Sequence, residues 1–314
     1  MKKIVVVGEI LVEIMADHPG EGFLETIALT GPFPSGAPAI YIDQVAKMGQ
    51  PCAIISSVGK DDFGRVNLDR LERDGVETSG IAIDSERPTG TAFVRYREDG
   101  GRDFVFNIRH SACGRVPTLE VAQRLLDTAD HLHVMGSSLS SPEFIEVNLT
   151  AAHSLKERGG TVSFDPNLRK EILDSPGMRE AMAKILAVTD VFLPSGEELF
   201  LLTQSTTAEG AVSELLGQGI DVIVHKQGAD GARYYDRTGN HFAPGFAVRE
   251  VDPTGAGDCF GGAFTTLWLR GEAPDKALRY ATAAGALAVT QRGPMEGSTS
   301  LQDLEAFLQA QTNP

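Results

Sequence analysis

The residues with the clearest chemical meaning lie in one short segment near the C-terminus, residues 251–264. Asp252 precedes a proline, which favours an extended backbone at that position. The Gly-Ala-Gly turn at 255–257 then lets the chain fold tightly and expose successive amide N–H groups. An apolar helical pattern follows at once, so these amides would lie at a helix N-terminus, where the helix dipole attracts an anion. The segment therefore predicts an anion site built from backbone amides.

Asp258 lies in the first turn of that predicted helix. Its carboxylate would repel a bound phosphate, which argues against a role as a phosphate ligand. A general base that takes the proton from a hydroxyl attacking phosphorus fits this position better. The alternative is that Asp258 only stabilises the helix N-terminus while the glycines make a tight turn, and the segment alone leaves both open. The segment is neither a Walker loop nor a GxGxxG turn.

The composition narrows the classes of partner. The chain has 314 residues, 42% of them hydrophobic, and a formal net charge of −15. Such a chain repels polyanions, which argues against nucleic acid or an anionic membrane surface as the main partner. Three scattered cysteines are too few for a disulfide framework or a structural zinc site. No apolar run approaches the length of a membrane span, and the N-terminal run 4–7 predicts a buried strand rather than a signal peptide, so we expect a cytoplasmic protein.

Short β-branched runs alternate with longer amphipathic stretches along most of the chain. This alternation predicts an α/β fold, with a mostly parallel sheet and helices on both faces, and the last third of the chain is mainly helical. The predicted strands are 4–7, 52–58, 131–135, 161–164, 191–193 and 222–225. The predicted helices are 39–48, 64–74, 119–128, 142–157, 178–188, 208–216, 256–269, 274–290 and 301–309.

One segment, residues 89–107, breaks the alternation because two strand-like runs follow each other with no helix between them. The Asp-Gly-Gly turn at 99–101 predicts a hairpin. Residues 11–33 would add strands beside it, so we expect a small β-sheet that projects from the α/β body. Such a sheet would form a lid over the cleft at the carboxyl edge of the main sheet, where α/β folds bind ligands. A surface hairpin without function is the alternative.

Residues 252–258 resemble the C-terminal signature of the ribokinase-like, or PfkB, carbohydrate kinases, a pattern of roughly D-T-x-G-A-G-D. Further similarities extend over nearly the whole chain. They are the opening strand at 8–13, a stretch similar to GGxxxN at 35–39, a G-x-D-x-x-G turn at 59–64 and a D-x-N-x-R stretch at 165–169. The resemblance implies a single ribokinase-like domain over 1–314, a Rossmann-like body with a lid formed by about 11–34 and 87–113.

A kinase of this family transfers the γ-phosphoryl group of ATP to a sugar hydroxyl, with Mg²⁺ as cofactor. The resemblance makes Asp258 the catalytic base. It makes four backbone amides an anion hole for the transferring phosphoryl group, those of Gly255, Ala256, Gly257 and Asp258. It also makes Arg169 a fixed cation near the phosphates or the sugar, a task that its planar fork suits. Without the family pattern, Arg169 would be interpreted as part of a surface salt bridge.

The resemblance also implies residues for the nucleotide and for metal ions. Ser195 and Glu198 stand at the family's N-x-x-E motif, which is linked to Mg²⁺ and phosphate, although serine replaces the asparagine. The same two residues fit a helix capping box, and both roles are compatible. Lys226 and Gly228 resemble the strand-to-turn element beneath ATP. Ala284 and Ala288 stand where helix residues usually line the adenine pocket, or they simply serve helix packing. Asp252 and Ser298 lie in loops that hold K⁺ in several relatives.

The choice of sugar depends on the lid and on the first strands. The resemblance places eight residues around the acceptor, namely Glu13, Ser35, Gly36, Ala37, Asn107, Arg109, Asp165 and Asn167. The N-terminal signature departs from the family pattern at two positions. Ser35 replaces a glycine, and Ile40 stands where an asparagine often contacts the sugar.

The predicted acceptor is a neutral ketose such as tagatose or fructose, with 2-keto-3-deoxygluconate as the runner-up. The lid positions that resemble the tyrosines and the arginine of the keto-acid kinases hold Ala92, Phe106, Asn107 and Ile108. Arg109 is one position away and would point to the opposite face of a strand. A substrate carboxylate would therefore lack a fixed cation. A nucleoside kinase is a weaker alternative, since a purine would require an aromatic-rich lid.

Two further expectations concern partners and rival classes of protein. The hairpin carries Phe93, Phe104 and Phe106 with little obvious body to cover them, which predicts a homodimer in which two lids meet. A non-catalytic regulator that binds sugar or nucleotide is the alternative of a different class, and the presence of the catalytic residues disfavours it. A dehydrogenase is excluded because no GxGxxG turn follows the first strand.

Overall fold

The structure is a computed structural model that describes residues 1–117, 119–168 and 177–312. The strands in these ranges are β1 (Ile4–Val7), β2 (Leu11–Ala16), β3 (Leu29–Ser35), β4 (Cys52–Gly59), β5 (Ile81–Asp84), β6 (Gly90–Tyr96), β7 (Arg102–Asn107), β8 (His131–Met135), β9 (Thr161–Asp165), β10 (Val191–Phe192), β11 (Val222–Lys226), β12 (Gly231–Asp236) and β13 (Gly239–Pro244). The α-helices in these ranges are α1 (Ala37–Lys47), α2 (Asp62–Asp74), α3 (Leu119–Asp127), α4 (Pro142–Glu157), α5 (Met178–Leu186), α6 (Ala208–Gly217), α7 (Ala256–Leu269), α8 (Pro274–Ala288) and α9 (Leu301–Thr312).

The larger of two sheets contains nine strands in the order β13-β12-β11-β10-β9-β8-β1-β4-β5. The strands from β11 to β5 run parallel, and β12 and β13 form an antiparallel hairpin at one edge. The chain passes from β1 to β4 and β5 on one side, and then returns to β8 on the other side of β1. The loops that follow β1 and β8 therefore diverge, and such a switch point is where an open α/β sheet binds its ligands.

Helices cover both faces of the larger sheet, as alternate side chains of β1 show. Val5 and Val7 belong to a core that also contains residues of α3, α4, α5 and α6. Ile4 and Val6 belong to the opposite side, where α1 packs, and α7, α8 and α9 extend that layer beneath β10 and β11. The predicted parallel sheet between two helical layers is confirmed. No helix in the described ranges combines the length and apolar character that crossing a membrane requires.

A second sheet has four strands in the order β3-β2-β6-β7. β2 and β6 are parallel, and the register places Glu13 opposite Ala92 and Ala92 opposite Phe106. Because directly opposite residues share a face of a sheet, these side chains lie on one side, which we call the inner face. Tyr96 lies on the same face and reaches the loop at 252–254. The predicted small separate sheet is confirmed, and its action as a lid stays a prediction.

The opposite side of this small sheet, the outer face, is partly covered by the chain itself. The loop at 20–25 lies against it, and the Phe23 ring packs edge-on against Phe93 with 6.5 Å between the ring centroids. Phe93 is therefore less open to a partner than the sequence implies. On the edge strand β7, Val105 lies on this outer face and is 46% exposed. Phe106, on the inner face of the same strand, is 37% exposed.

Candidate active site

Two glycines bring the loops of the switch point together. A Cβ atom on Gly8 would lie 2.2 Å from Ser138 Oγ, and one on Gly36 would lie 2.5 Å from the Glu9 carbonyl oxygen. Gly36 also has a φ of 111°, which a side chain would strain. The close approach lets Ser138 Oγ donate a 2.8 Å hydrogen bond to Glu9 Oε2. The loop after β1 therefore lies in direct contact with the loop after β8 and with the start of α1, which begins at Ala37.

The N-terminus of α7 follows a tightly packed turn. Gly255 precedes the helix with a φ of 85°, and it has no side chain that could accept hydrogen bonds from the first helical amides. A Cβ atom on Gly255 would lie 2.4 Å from the Pro294 carbonyl oxygen and 3.2 Å from Ile40, so Ile40 supports the turn from behind. On Gly257 a Cβ atom would meet only Lys226 Nζ among the described residues, at 3.6 Å. Uncapped amides, open room and a nearby cation can together hold an anion.

Asp258 is the third residue of α7, and its residue surface is only 6% exposed. Asn167 Nδ2 donates a 3.0 Å hydrogen bond to Asp258 Oδ1, which orients the carboxylate. Asn167 has a φ of 42°, a left-handed conformation that asparagine adopts more readily than most residues. Its backbone amide donates to Asp165 Oδ1 at 3.1 Å. The turn after β9 thus brings three of the predicted site residues together.

Lys226, at the end of β11, forms a buried ion pair with Asp165, at the end of β9. The two side chains are 9% and 1% exposed. Burial opposes the charge of the lysine, but the surrounding carboxylates of Asp165, Glu198 and Asp258 outweigh it and raise the pKa of Lys226. The ammonium group therefore keeps its charge beside the turn that precedes α7.

Glu198 lies beside this pair, in the loop that follows β10. Its carboxylate accepts 2.7 Å hydrogen bonds from the backbone amides of Leu168 and Ser195. The capping box expected for Ser195 and Glu198 is therefore present. Burial and the neighbouring Asp165 carboxylate raise the pKa of Glu198 above its ordinary value. Because each carboxylate oxygen has a second lone pair, the group can also order a water bound to a metal ion.

The inner face of the small sheet carries Glu13, which is 3% exposed and accepts a 3.4 Å hydrogen bond from Ser35 Oγ. Ala92 lies directly opposite Glu13. Asn107 is on the outer face instead, where it pairs with Thr91 and donates a 3.2 Å hydrogen bond to Thr91 Oγ1. The structure therefore does not bring Asn107 together with Glu13, because successive residues of a strand point to opposite faces.

Four other predicted residues have different surroundings. Ala284 and Ala288 are 0% and 2% exposed and contribute to helix packing in the core. Gly228 lies in an exposed turn after β11, and Arg109 is exposed beyond the end of β7. Arg169 lies outside the described residues.

Asp252 and Ser298, the residues predicted for a monovalent cation, are both buried, at 1% and 4% exposure. The Asp252 carboxylate accepts hydrogen bonds from the Thr254 amide at 3.0 Å and the Gly293 amide at 2.9 Å. It also accepts a hydrogen bond from the Tyr96 hydroxyl. Sequence reasoning missed Tyr96, although the alternation of side chains along β6 would have placed it on the inner face.

Comparisons with known proteins identify the family to which this chain belongs. The family model of the pfkB family carbohydrate kinases matches residues 1–301. The 2-dehydro-3-deoxygluconokinase of Thermoproteus tenax is 31% identical over 314 residues, which cover 99% of this chain and 95% of that protein.

Two solved structures are similar over almost their full length. A putative ribokinase II from E. coli, in complex with ATP and Mg²⁺, is 46% identical with a TM-score of 0.92 and covers 99% of this chain and 100% of its own. A double mutant of the fructokinase from Vibrio cholerae O395, in a form with fructose, ADP and a potassium ion bound, is 28% identical with a TM-score of 0.83 and covers 98% of each chain. With the family match extending over nearly the whole sequence, the chain belongs to the PfkB family of carbohydrate kinases and is a sugar kinase.

Proposed function

We propose that this sugar kinase transfers the γ-phosphoryl group of ATP to a hydroxyl of a neutral ketose such as tagatose or fructose. The observation that carries the proposal is the position of Asp258. Its buried carboxylate is oriented by Asn167 and lies in the first turn of α7, beside amides that have no side-chain cap. A base that acts on an attacking hydroxyl next to a phosphate requires this arrangement.

The proposed anion hole consists of the amides of Gly255, Ala256, Gly257 and Asp258. They fit a nucleotide phosphate because open room lies beside Gly257 and the Lys226 ammonium group stands 3.6 Å from the Cβ position of that glycine. The ATP and Mg²⁺ bound to the E. coli relative support ATP as the donor. ATP supplies the phosphoryl group, and fixed amide donors stabilise the negative charge that develops on its oxygens during transfer.

Asp258 is the proposed base, which accepts the proton of the sugar hydroxyl as that hydroxyl attacks phosphorus. Asn167 donates to Oδ1 and so holds the plane of the carboxylate. Asp165 accepts from the Asn167 amide and also pairs with Lys226, so the base, its orienting amide and the cation form one connected set. Arg169 remains a further proposed cation for the phosphates or the sugar.

For Mg²⁺ we propose Glu198, which would hold the ion through water while the nucleotide phosphates supply further ligands. The residue fits this role because each of its carboxylate oxygens accepts a backbone hydrogen bond and has a second lone pair for a metal-bound water. Burial and Asp165 raise the pKa of this carboxyl, and a bound cation would favour its charged form. For K⁺ we propose the loops that contain Asp252 and Ser298. The fructokinase with a bound potassium ion supports this second site.

The charge on the inner face of the small sheet favours a neutral acceptor. Glu13 offers carboxylate oxygens to sugar hydroxyls and would repel the carboxylate of a sugar acid. Arg102 lies on the same face of β7, but far from Glu13. Phe106 is the β7 residue that lies level with Glu13 and Ala92, and Arg102 is about 13 Å along the strand from it, at about 3.3 Å per residue. Its guanidinium group lies over the Phe104 ring. The fructose bound to the Vibrio cholerae fructokinase supports a ketose, and the Thermoproteus tenax relative makes 2-keto-3-deoxygluconate the alternative.

A side-by-side assay of acceptors tests this choice. We expect kcat/KM for tagatose or fructose to exceed that for 2-keto-3-deoxygluconate by about tenfold or more, since burying an uncompensated carboxylate costs several kcal/mol. ATP-dependent turnover of both ketoses, the keto acid and adenosine should be measured under the same conditions. A tenfold preference for the keto acid would overturn the proposal and would place Arg109 or Arg169 at the substrate. Binding without turnover of any acceptor would favour the non-catalytic regulator.

We also propose a homodimer in which the small sheets of two chains meet. The edge strand β7 carries the exposed Val105 and Phe106, and such an edge is usually protected by a partner. Sedimentation velocity at micromolar concentration should show a dimer for the wild type and a monomer for Val105→Asp. Ile83→Asp is the matched control, because Ile83 is 60% exposed on β5, at the edge of the other sheet, and this variant should stay dimeric. A monomeric wild type would rule out the assembly.

A further inference from the structure

Tyr96 joins the small sheet to the loop that leads into the predicted anion hole. It is the last residue of β6, and its side chain lies on the inner face. Its hydroxyl donates a hydrogen bond to the Asp252 carboxylate and lies 2.9 Å from Thr254 Oγ1. Thr254 directly precedes Gly255, the residue before α7. One phenol group from the small sheet thus contacts two residues of the turn at 252–257.

Asp252 is the loop residue that accepts the hydrogen bond from Tyr96. Its carboxylate is buried and accepts from the Thr254 amide, the Gly293 amide and the Tyr96 hydroxyl. A buried carboxylate depends on such donors, because each one that is lost leaves charge without compensation. Two of these donors belong to the loops of the large body, and Tyr96 belongs to the small sheet. The small sheet therefore supplies one of the donors that surround the Asp252 carboxylate.

Two other contacts between the small sheet and the body lie at residues 292–293. Asp17, which follows β2, forms a 2.7 Å salt bridge with Arg292. Phe33 packs against Gly293, where a Cβ atom would lie 2.6 Å from the ring. These contacts anchor the sheet to the loop at 292–293, where the Gly293 amide donates to Asp252. The Tyr96 hydroxyl contacts the turn at 252–257 directly.

We infer that Tyr96 is a positioning residue that couples the position of the small sheet to the amides at 255–258. With the sheet over the acceptor, its hydroxyl completes the donors around Asp252 and holds the turn in the form that stabilises the transferring phosphoryl group. With the sheet displaced, Asp252 loses a donor and the turn relaxes. This inference rests on the proposed function, because it assigns the sheet to the acceptor and the turn to the phosphoryl group.

Tyr96→Phe removes the hydroxyl and keeps the ring. We expect kcat for the best acceptor of the panel to fall about 10- to 100-fold, the range for losing a hydrogen bond to a charged group. The Kd for ATP should change little, and the melting temperature should fall by only a few degrees, since one buried hydrogen bond is lost. In hydrogen exchange, saturating fructose, or tagatose if it is the better acceptor, should slow amides 254–258 of the wild type. In the variant that protection should disappear, while protection within β6 persists.

Tyr234→Phe is the matched control, because the Tyr234 hydroxyl also donates to a carboxylate, that of Asp236, at 2.8 Å. It should leave kcat and the sugar-induced protection unchanged. The inference is overturned if Tyr96→Phe keeps its kcat, or if kcat falls while amides 254–258 are still protected by sugar. A wild type that phosphorylates no sugar would instead refute the proposed function, so the two failures are distinguishable.

Discussion

Asp258→Asn is expected to lower phosphoryl transfer by about 10²–10⁴-fold, the usual cost of losing a positioned general base. The asparagine amide has nearly the same shape as the carboxylate, but it cannot take the proton of the sugar hydroxyl. ATP binding should persist, because the amides at 255–257 and Lys226 are unchanged. Steady-state kcat with the best acceptor and the Kd for ATP from calorimetry measure the two effects separately.

The chain offers a control for the simpler role of Asp258, which is stabilising a helix N-terminus. Asp303 is also the third residue of its helix, α9, and it hydrogen-bonds to Ser300 at the start of that helix. Asp303→Asn should therefore reproduce any loss of helix stabilisation and leave turnover intact. Near-normal turnover of Asp258→Asn would remove this residue from the mechanism.

Lys226→Met is expected to lower the free energy of unfolding by about 3–5 kcal/mol, because it leaves the buried Asp165 carboxylate without its partner. The same variant should weaken ATP binding, since Lys226 Nζ is the atom nearest to the open side of Gly257. Urea denaturation at neutral pH measures the first effect, and calorimetry with ATP measures the second.

The double variant Asp165→Asn/Lys226→Met separates the cost of leaving a buried charge unpaired from the cost of replacing the lysine side chain itself. It removes both charges, so we expect it to be more stable than Lys226→Met alone. Lys184→Met is the control for losing a surface lysine, because the pair Lys184–Glu180 is mostly exposed, and its stability should be close to wild type. If Lys226→Met unfolds at the same urea concentration as Lys184→Met, the buried pair does not stabilise the fold.

The sequence alone predicts the parallel strands of the large sheet other than β5, and most helices, to within a few residues. Strands such as β1 and β8 are buried on both faces, so their apolar runs are continuous and easy to recognise. The Asp-Gly-Gly turn likewise predicts the β6–β7 hairpin. β5 and the β12–β13 hairpin were not predicted, because these strands lie at or near the sheet edges and their partly exposed positions mix polar with apolar residues.

Part of the candidate site could likewise be predicted from the sequence, and part could not. The anion turn and Asp258 could be predicted because they are adjacent in the chain, where glycine conformation and the start of a helix are local properties. The face on which Asn107 lies depends on the register of β7, and a shift of one residue exchanges the two faces. The position of Asn107 within the hairpin sequence was therefore not enough to predict whether its side chain lies beside Glu13.

The amino-acid sequence by itself determined the alternating α/β pattern, the extra hairpin, and the turn that places Asp258 at a helix N-terminus. Only the tertiary structure decided which distant groups complete the site. Asn167 meets Asp258, Lys226 meets Asp165, and Tyr96 meets Asp252 across 91, 61 and 156 positions of the chain. Strand order and sheet register set these distances, and they arise from the packing of the whole chain, which no local pattern of residues contains.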